Sequence, residues 1–195
     1  DDEKFAKIEK AVADRGMKPS EGDRTRDFRR RNFNCSDFSG GDLRRADFTD
    51  AKAIGANWTR ADLQGASLDG LNGLGMFLFN AKLQHASLRE AILRHARLNS
   101  AELVGADLFR TELIAAILWD AALQGSRLVD ANLTGAMLLG ANFTGARLDG
   151  STLGCVVGQG AVFHGASLRG AKLQGSVFLR SHFAGANLFK AELQY

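Results

Sequence analysis

Ala131-Asn132-Leu133-Thr134-Gly135 reads as one unit: a small residue, a short polar one, a large apolar one, then two positions that close on glycine. Ala61-Asp62-Leu63-Gln64-Gly65 has the same form in the same frame of five. Stepping by five from Phe28 to Leu193 visits 34 positions, of which 30 are Leu or Phe, and no insertion breaks the frame. Two residues before most of these centres stands a small side chain, Ala in 22 of the 34 units, among them Ala46, Ala86, Ala106, Ala146, Ala166 and Ala186. Both positions call for the interior. The places between them carry mostly Asp, Asn, Lys, Arg, Thr, Gln and Ser, which face water. A period of five matches neither the 3.6 of a helix nor the 2.0 of a long strand, so each unit is a short extended piece with a turn built in. Gly in the second place after the centre in 16 of the 34 units supplies positive φ at a corner. Extended pieces alternating with corners make a coil, and stacked coils pair their backbones at about 4.8 Å per rung.

A run of A-[D/N]-[L/F]-x-x units, such as Ala46-Asp47-Phe48-Thr49-Asp50 and Ala106-Asp107-Leu108-Phe109-Arg110, resembles the pentapeptide-repeat proteins. The resemblance covers residues 26–195. It implies an all-β solenoid, a right-handed quadrilateral β-helix with four units per coil. The outward residues support that coil independently, because Ile117, Met137, Val157 and Val177 recur at intervals of twenty and are all apolar. The 34 units then make about 8.5 coils, a rod roughly 40 Å long at the rung spacing of a sheet. Residues 1–20 lie outside the frame and are expected to form a short α-helical cap. Phe5, Ile8 and Val12 share a face, acids crowd the start, and Gly16 and Pro19 follow the end. Such a helix would plug the first coil over Phe28, Phe33 and Phe38.

Four centres depart from Leu or Phe: Ala53, Trp58, Gly73 and Gly158. Large inward residues two places earlier, Leu71 and Val156, are expected to refill the two glycine positions; a loop bulging near Gly70 to Gly75 is the alternative. Trp58 after Ala53 reads as a similar exchange. At the other end, a last coil finishing at Tyr195 leaves Phe183, Leu188 and Leu193 uncovered, to be met by another copy or a continuation of the chain.

Composition bounds the function. The longest uninterrupted apolar run, Leu113 to Trp119, has seven residues, against about 20 for a membrane-spanning helix. Cys35 and Cys155 hold equivalent places six coils apart, about 29 Å at the rung spacing, whereas a disulfide needs Cα atoms within about 7 Å. No internal disulfide is expected; two cysteines make no disulfide framework, and a reduced, cytoplasmic setting is the default reading, although the chain begins at Asp1, so a targeting segment can have been removed. Motifs for a catalytic nucleophile, a zinc protease or a phosphate loop are absent, and Gly158-Gln159-Gly160 does not continue into a dinucleotide fingerprint. His164 and His182 share a face in adjacent coils but lack a third ligand. The expectation is therefore no catalytic residue, no metal, no cofactor and no small-molecule substrate.

What remains is an interaction protein. Within the resembled family the best known activity is binding a type II topoisomerase by imitating DNA, which needs a strongly negative rod. Residues 1–25 hold seven of the 22 acids and six of the 25 bases, leaving 15 acids and 19 bases in the repeats, a net +4. The sign is wrong for DNA mimicry, which stands as the alternative. Nucleic acid is disfavoured as a partner too, since the arginines between Arg24 and Arg45 are interleaved with Asp23, Asp27, Asp37 and Asp42. Other bacterial members of the resembled family, some secretion-associated or effector modules, use the rod as a protein-binding platform. The expected site is an apolar stripe on the third face: Phe77 and Phe79, Ile117 and Trp119, Met137 and Leu139, Val157, and Val177 and Leu179. A protein partner, or another copy of the chain, is expected to cover it.

Overall fold

The computed structural model describes residues 26–194; the expected cap over residues 1–20 lies outside them. Pairing is regular to a degree that the period of five dictates. The residue before each centre forms a parallel bridge to the residue twenty positions on, from Asp27↔Asp47 to Lys172↔Glu192, one every five residues. Every bridge is isolated, because a corner follows each extended piece before pairing can run on. The backbone is thus a ladder of single-residue contacts, with no extended strand and no helix among the described residues.

Hydrogen bonds explain how so short a piece holds its place. Leu118 N donates to Met137 O at 2.8 Å, and Met137 N donates back to Ala116 O at 2.9 Å, so each rung is tied to the next from both sides of the bridge residue Ile117. The turn closes on itself, as where Ala121 N donates to Leu118 O at 3.1 Å. Its third residue has positive φ at all corners from Arg30 to Lys190, the requirement of a type II turn. Glycine fills about half of these corners; the rest include Arg60, Ala115, Asp120, Cys155 and Arg180. A side chain there costs about 1 to 2 kcal/mol relative to glycine, and the ladder and core impose the conformation regardless.

The interior is the ladder of centres and small residues. Leu and Phe centres from Phe33 to Leu168 are fully buried, as are most of the alanines between them. Aromatic centres stack at the rung spacing: Phe143 on Phe163 at 4.9 Å between ring centroids, and Phe163 on Phe183 at 4.7 Å. Trp58 packs on Phe48 at 4.7 Å and is wholly enclosed.

The two glycine centres draw on more neighbours than the sequence alone names. Leu71 and Val156 are buried, but a Cβ on Gly73 would collide with the Met76 sulfur and come within 3.0 Å of Leu93 Cδ2. A Cβ on Gly158 would meet the Phe178 ring at 2.5 Å. The missing volume is therefore also filled from three residues ahead and from the next coil, since side chains in a stacked core reach along the axis. No bulge forms at residues 70–75: Gly73 N donates to Ile92 O and Gly75 N to Arg94 O, each at 2.9 Å.

Candidate partner-binding face

The third face is bounded by two columns of corners, residues 115, 135, 155 and 175 on one side and 120, 140, 160 and 180 on the other. Across it Ile117, Met137, Val157 and Val177 form consecutive bridges, and Trp119, Leu139, Gln159 and Leu179 form the parallel column. Leu139 O and Leu179 O accept hydrogen bonds from Asp120 N and Gly160 N, so the backbone is satisfied and the side chains project outward. Trp119 and Met137 are 39% exposed, Leu139 41%, Val157 47%, Val177 56% and Leu179 58%; Ile117 is half-buried. These seven side chains are contiguous over four rungs.

Phe77 and Phe79 are not continuous with them. Arg97 stands between Phe77 and Ile117 in the bridge column, with its guanidinium carbon 5.4 Å from the centre of the Phe77 ring. Phe77 and Phe79 stack on each other at 6.1 Å and are half-buried. The guanidinium covers apolar surface that would otherwise join the stripe.

Elsewhere several surface charges are paired. Asp42 accepts from Arg44 Nη2 at 2.8 Å and Arg26 Nη1 at 3.1 Å. The Arg44 hydrogen bond holds the Asp42 carboxyl far below the usual carboxylate range, against the opposing effect of burial and with further help from Arg26. Arg29 likewise brings Asp27 down to about 2. Arg89, Arg110 and Arg127 gather round the ring of Phe109 at 5.1, 4.8 and 4.3 Å, and Arg127 Nη1 pairs with Asp107 at 3.0 Å. That aromatic box escaped the sequence reading because Phe109 and Arg127 lie on different coils. His164 and His182 rings stand 5.8 Å apart, and among the described residues no three of His, Cys, Asp and Glu group as metal ligands. Cys35 and Cys155 are exposed free thiols. No helix of the described residues is long and apolar enough to cross a membrane.

The twenty-residue ladder has its counterpart in known sequences. The profile of the family described as Pentapeptide repeats matches in eight copies, over residues 27–50, 42–72, 78–113, 116–154 and 159–195. The chain is a pentapeptide-repeat protein. Among solved pentapeptide-repeat structures it is similar to HetL, involved in heterocyst differentiation regulation in the cyanobacterium Nostoc. The identity is 26% over 84% of this chain and 87% of that one, with a TM-score of 0.46. It is 32% identical to Rfr23 of the cyanobacterium Cyanothece, over 50% of this chain and 63% of that one, with a TM-score of 0.31. The plasmid-mediated fluoroquinolone resistance protein QnrB1 matches at 16% identity over 86% of this chain and 89% of that one, with a TM-score of 0.45. No curated protein matches the chain.

Proposed function

We propose that this pentapeptide-repeat protein is a non-enzymatic scaffold, a rigid rod whose third face receives a protein partner. The reading takes the coils as those of a right-handed, four-sided β-helix of about 8.5 turns, capped by a helix over residues 1–20. One observation carries the functional part: over the rungs from Ile117 to Leu179, seven of the eight outward positions flanking the centres are apolar, Gln159 being the exception. Six of those seven are exposed. Four rungs by about three residues give a footprint of about 19 by 10 Å, and roughly 400 Å² once projecting side chains are included. Covering it gives about 10 kcal/mol gross, comparable with the roughly 4 to 15 kcal/mol that association costs. The stripe is then the centre of a contact with a polar rim around it. DNA mimicry remains disfavoured by the +4 charge of the repeats, and the purified protein should leave topoisomerase supercoiling unaffected at stoichiometric amounts.

The test is a tagged chain in its source cells, compared with Trp119→Ser/Leu139→Ser and with Asp62→Ser/Gln84→Ser on the fourth face. The stripe variant should keep its circular dichroism and melting while losing its complex; the control should keep both. A complex that survives the stripe variant, or a stripe variant that unfolds, overturns the proposal.

A further inference from the structure

We infer that the occupant of this face is a second copy of the same chain, its rod antiparallel to the first and related by a two-fold axis lying in the face between the Met137 and Val157 rungs. The inference rests on the reading of the stripe as a binding face and adds the identity and orientation of what covers it.

Charge carries it. The face from Ile117 to Leu179, together with its two corner columns, presents sixteen outward positions: residues 115, 117, 119, 120 and their counterparts on the next three rungs. Only two of them are charged, Asp120 and Arg180. They have opposite signs, stand in the same corner column and occupy the first and last of the four rungs, about 14 Å apart. Both are exposed, and neither has an ion-pair partner among the described residues.

A two-fold axis across the strands, midway between the second and third rungs, exchanges first rung with last and keeps each column in place. Asp120 of each copy then meets Arg180 of the other, twice in one interface. The same operation sets Trp119 against Leu179, Ile117 against Val177 and Met137 against Val157. Gly140 faces Gly160, and Ala115 faces Gly175, so the corners leave room for close approach. Parallel rods would instead swap the two corner columns and set Asp120 against Ala115 and Arg180 against Gly175, which leaves both charges without a partner across the interface. An isologous contact of this kind closes on itself and stops at a dimer. Its small area puts it among weak, reversible interfaces.

Sedimentation velocity on the purified chain from about 1 to 200 μM provides the test. The wild type should pass from monomer to dimer. Asp120→Arg or Arg180→Asp alone should weaken the dimer roughly tenfold or more, because each loses two ion pairs and gains two repulsions. The combined swap should return it to within about threefold of the wild type. Both substitutions suit their sites, since Arg60 and Arg110 occupy equivalent positive-φ corners, as do Asp50 and Asp130. Cys155 supplies a second readout. Facing sheets pack about 10 Å apart and the two Cys155 residues sit one rung apart along the axis, about 11 Å in all. A bis-maleimide of that span should join two chains through Cys155, and Cys155→Ser, but not Cys35→Ser, should abolish the product. A strict monomer at the highest concentration, or single charge variants whose defect the double swap does not repair, overturns the inference. If the chain is monomeric while the stripe variant still loses a complex with another protein in cells, the scaffold reading stands and only the self-pairing fails.

Discussion

Leu138 and Leu139 are adjacent, chemically identical and on opposite sides of one rung, the first fully buried and the second 41% exposed. Replacing each with Ala therefore separates the core from the face. At Leu138 the removed carbons lie in a closed ladder between Leu118 and Gly158, with little freedom to collapse, and the loss should be about 3 to 4 kcal/mol. At Leu139 the side chain already meets water, and the change should stay within about 0.5 kcal/mol. With a urea slope of about 2 kcal/mol per molar, Leu138→Ala should lower the unfolding midpoint by roughly 1.5 to 2 M and Leu139→Ala by less than about 0.3 M. Repeat rods can unfold in stages, so the comparison is made on transitions followed by both circular dichroism and tryptophan fluorescence. Equal shifts, or a larger one for Leu139, would refute the assignment of inward and outward positions on which the binding face depends.

Gly135→Ala and Gly150→Ala share a φ near +67°, but a Cβ has nothing within 4 Å at Gly135 and meets Asp130 Oδ1 at 2.5 Å at Gly150. The first should cost about 1 kcal/mol in thermal or urea unfolding and the second clearly more; equal losses would mean that Asp130 swings aside freely. Ala115→Gly, at φ 54°, should raise the unfolding free energy, by up to about 1 kcal/mol after the greater chain entropy of glycine is offset. For Asp42 the folded carboxyl titrates below its unfolded value, so its contribution is present above about pH 4 and is lost as pH falls through the lower folded value. Asp42→Asn should thus lower the melting temperature at pH 7 and flatten its decline between about pH 4 and 2; parallel profiles for variant and wild type would contradict the pairing with Arg44 and Arg26. Cys35 and Cys155 should give the same gel mobility with and without reductant, and a redox-dependent compact monomer would contradict the six-coil separation.

The repeat was legible in the sequence because one physical rule governs every unit. A large centre, a small partner two places earlier and a corner two places later recur from Phe28 onward, and the bridges at an interval of twenty follow that frame. The corners were only half legible. Glycine announces positive φ at Gly135, whereas Ala115 and Asp120 adopt it because ladder hydrogen bonds on both sides leave no alternative. Compensation at Gly73 and Gly158 was read along the chain, toward Leu71 and Val156. The contacts with Met76 and Phe178 run forward and between coils, where sequence proximity is no guide. Register alone places the stripe outward, so Ile117 to Leu179 group together in the sequence itself. The detachment of Phe77 and Phe79 does not show there, since it depends on Arg97 lying over an aromatic ring from another coil. The relation of Asp120 to Arg180 likewise emerges only when the rungs are stacked.

The most direct test of the scaffold claim is site-specific photo-cross-linking in the source cells. A photoreactive phenylalanine analogue would replace, one at a time, Met137, Leu139 and Val157 on the third face, and Asp62, Gln84 and Arg147 on the other faces. The account predicts discrete adducts from the first three positions, whether to another protein or to a second copy, and none from the others. Adducts spread evenly over all six, or confined to Asp62, Gln84 and Arg147, would contradict it.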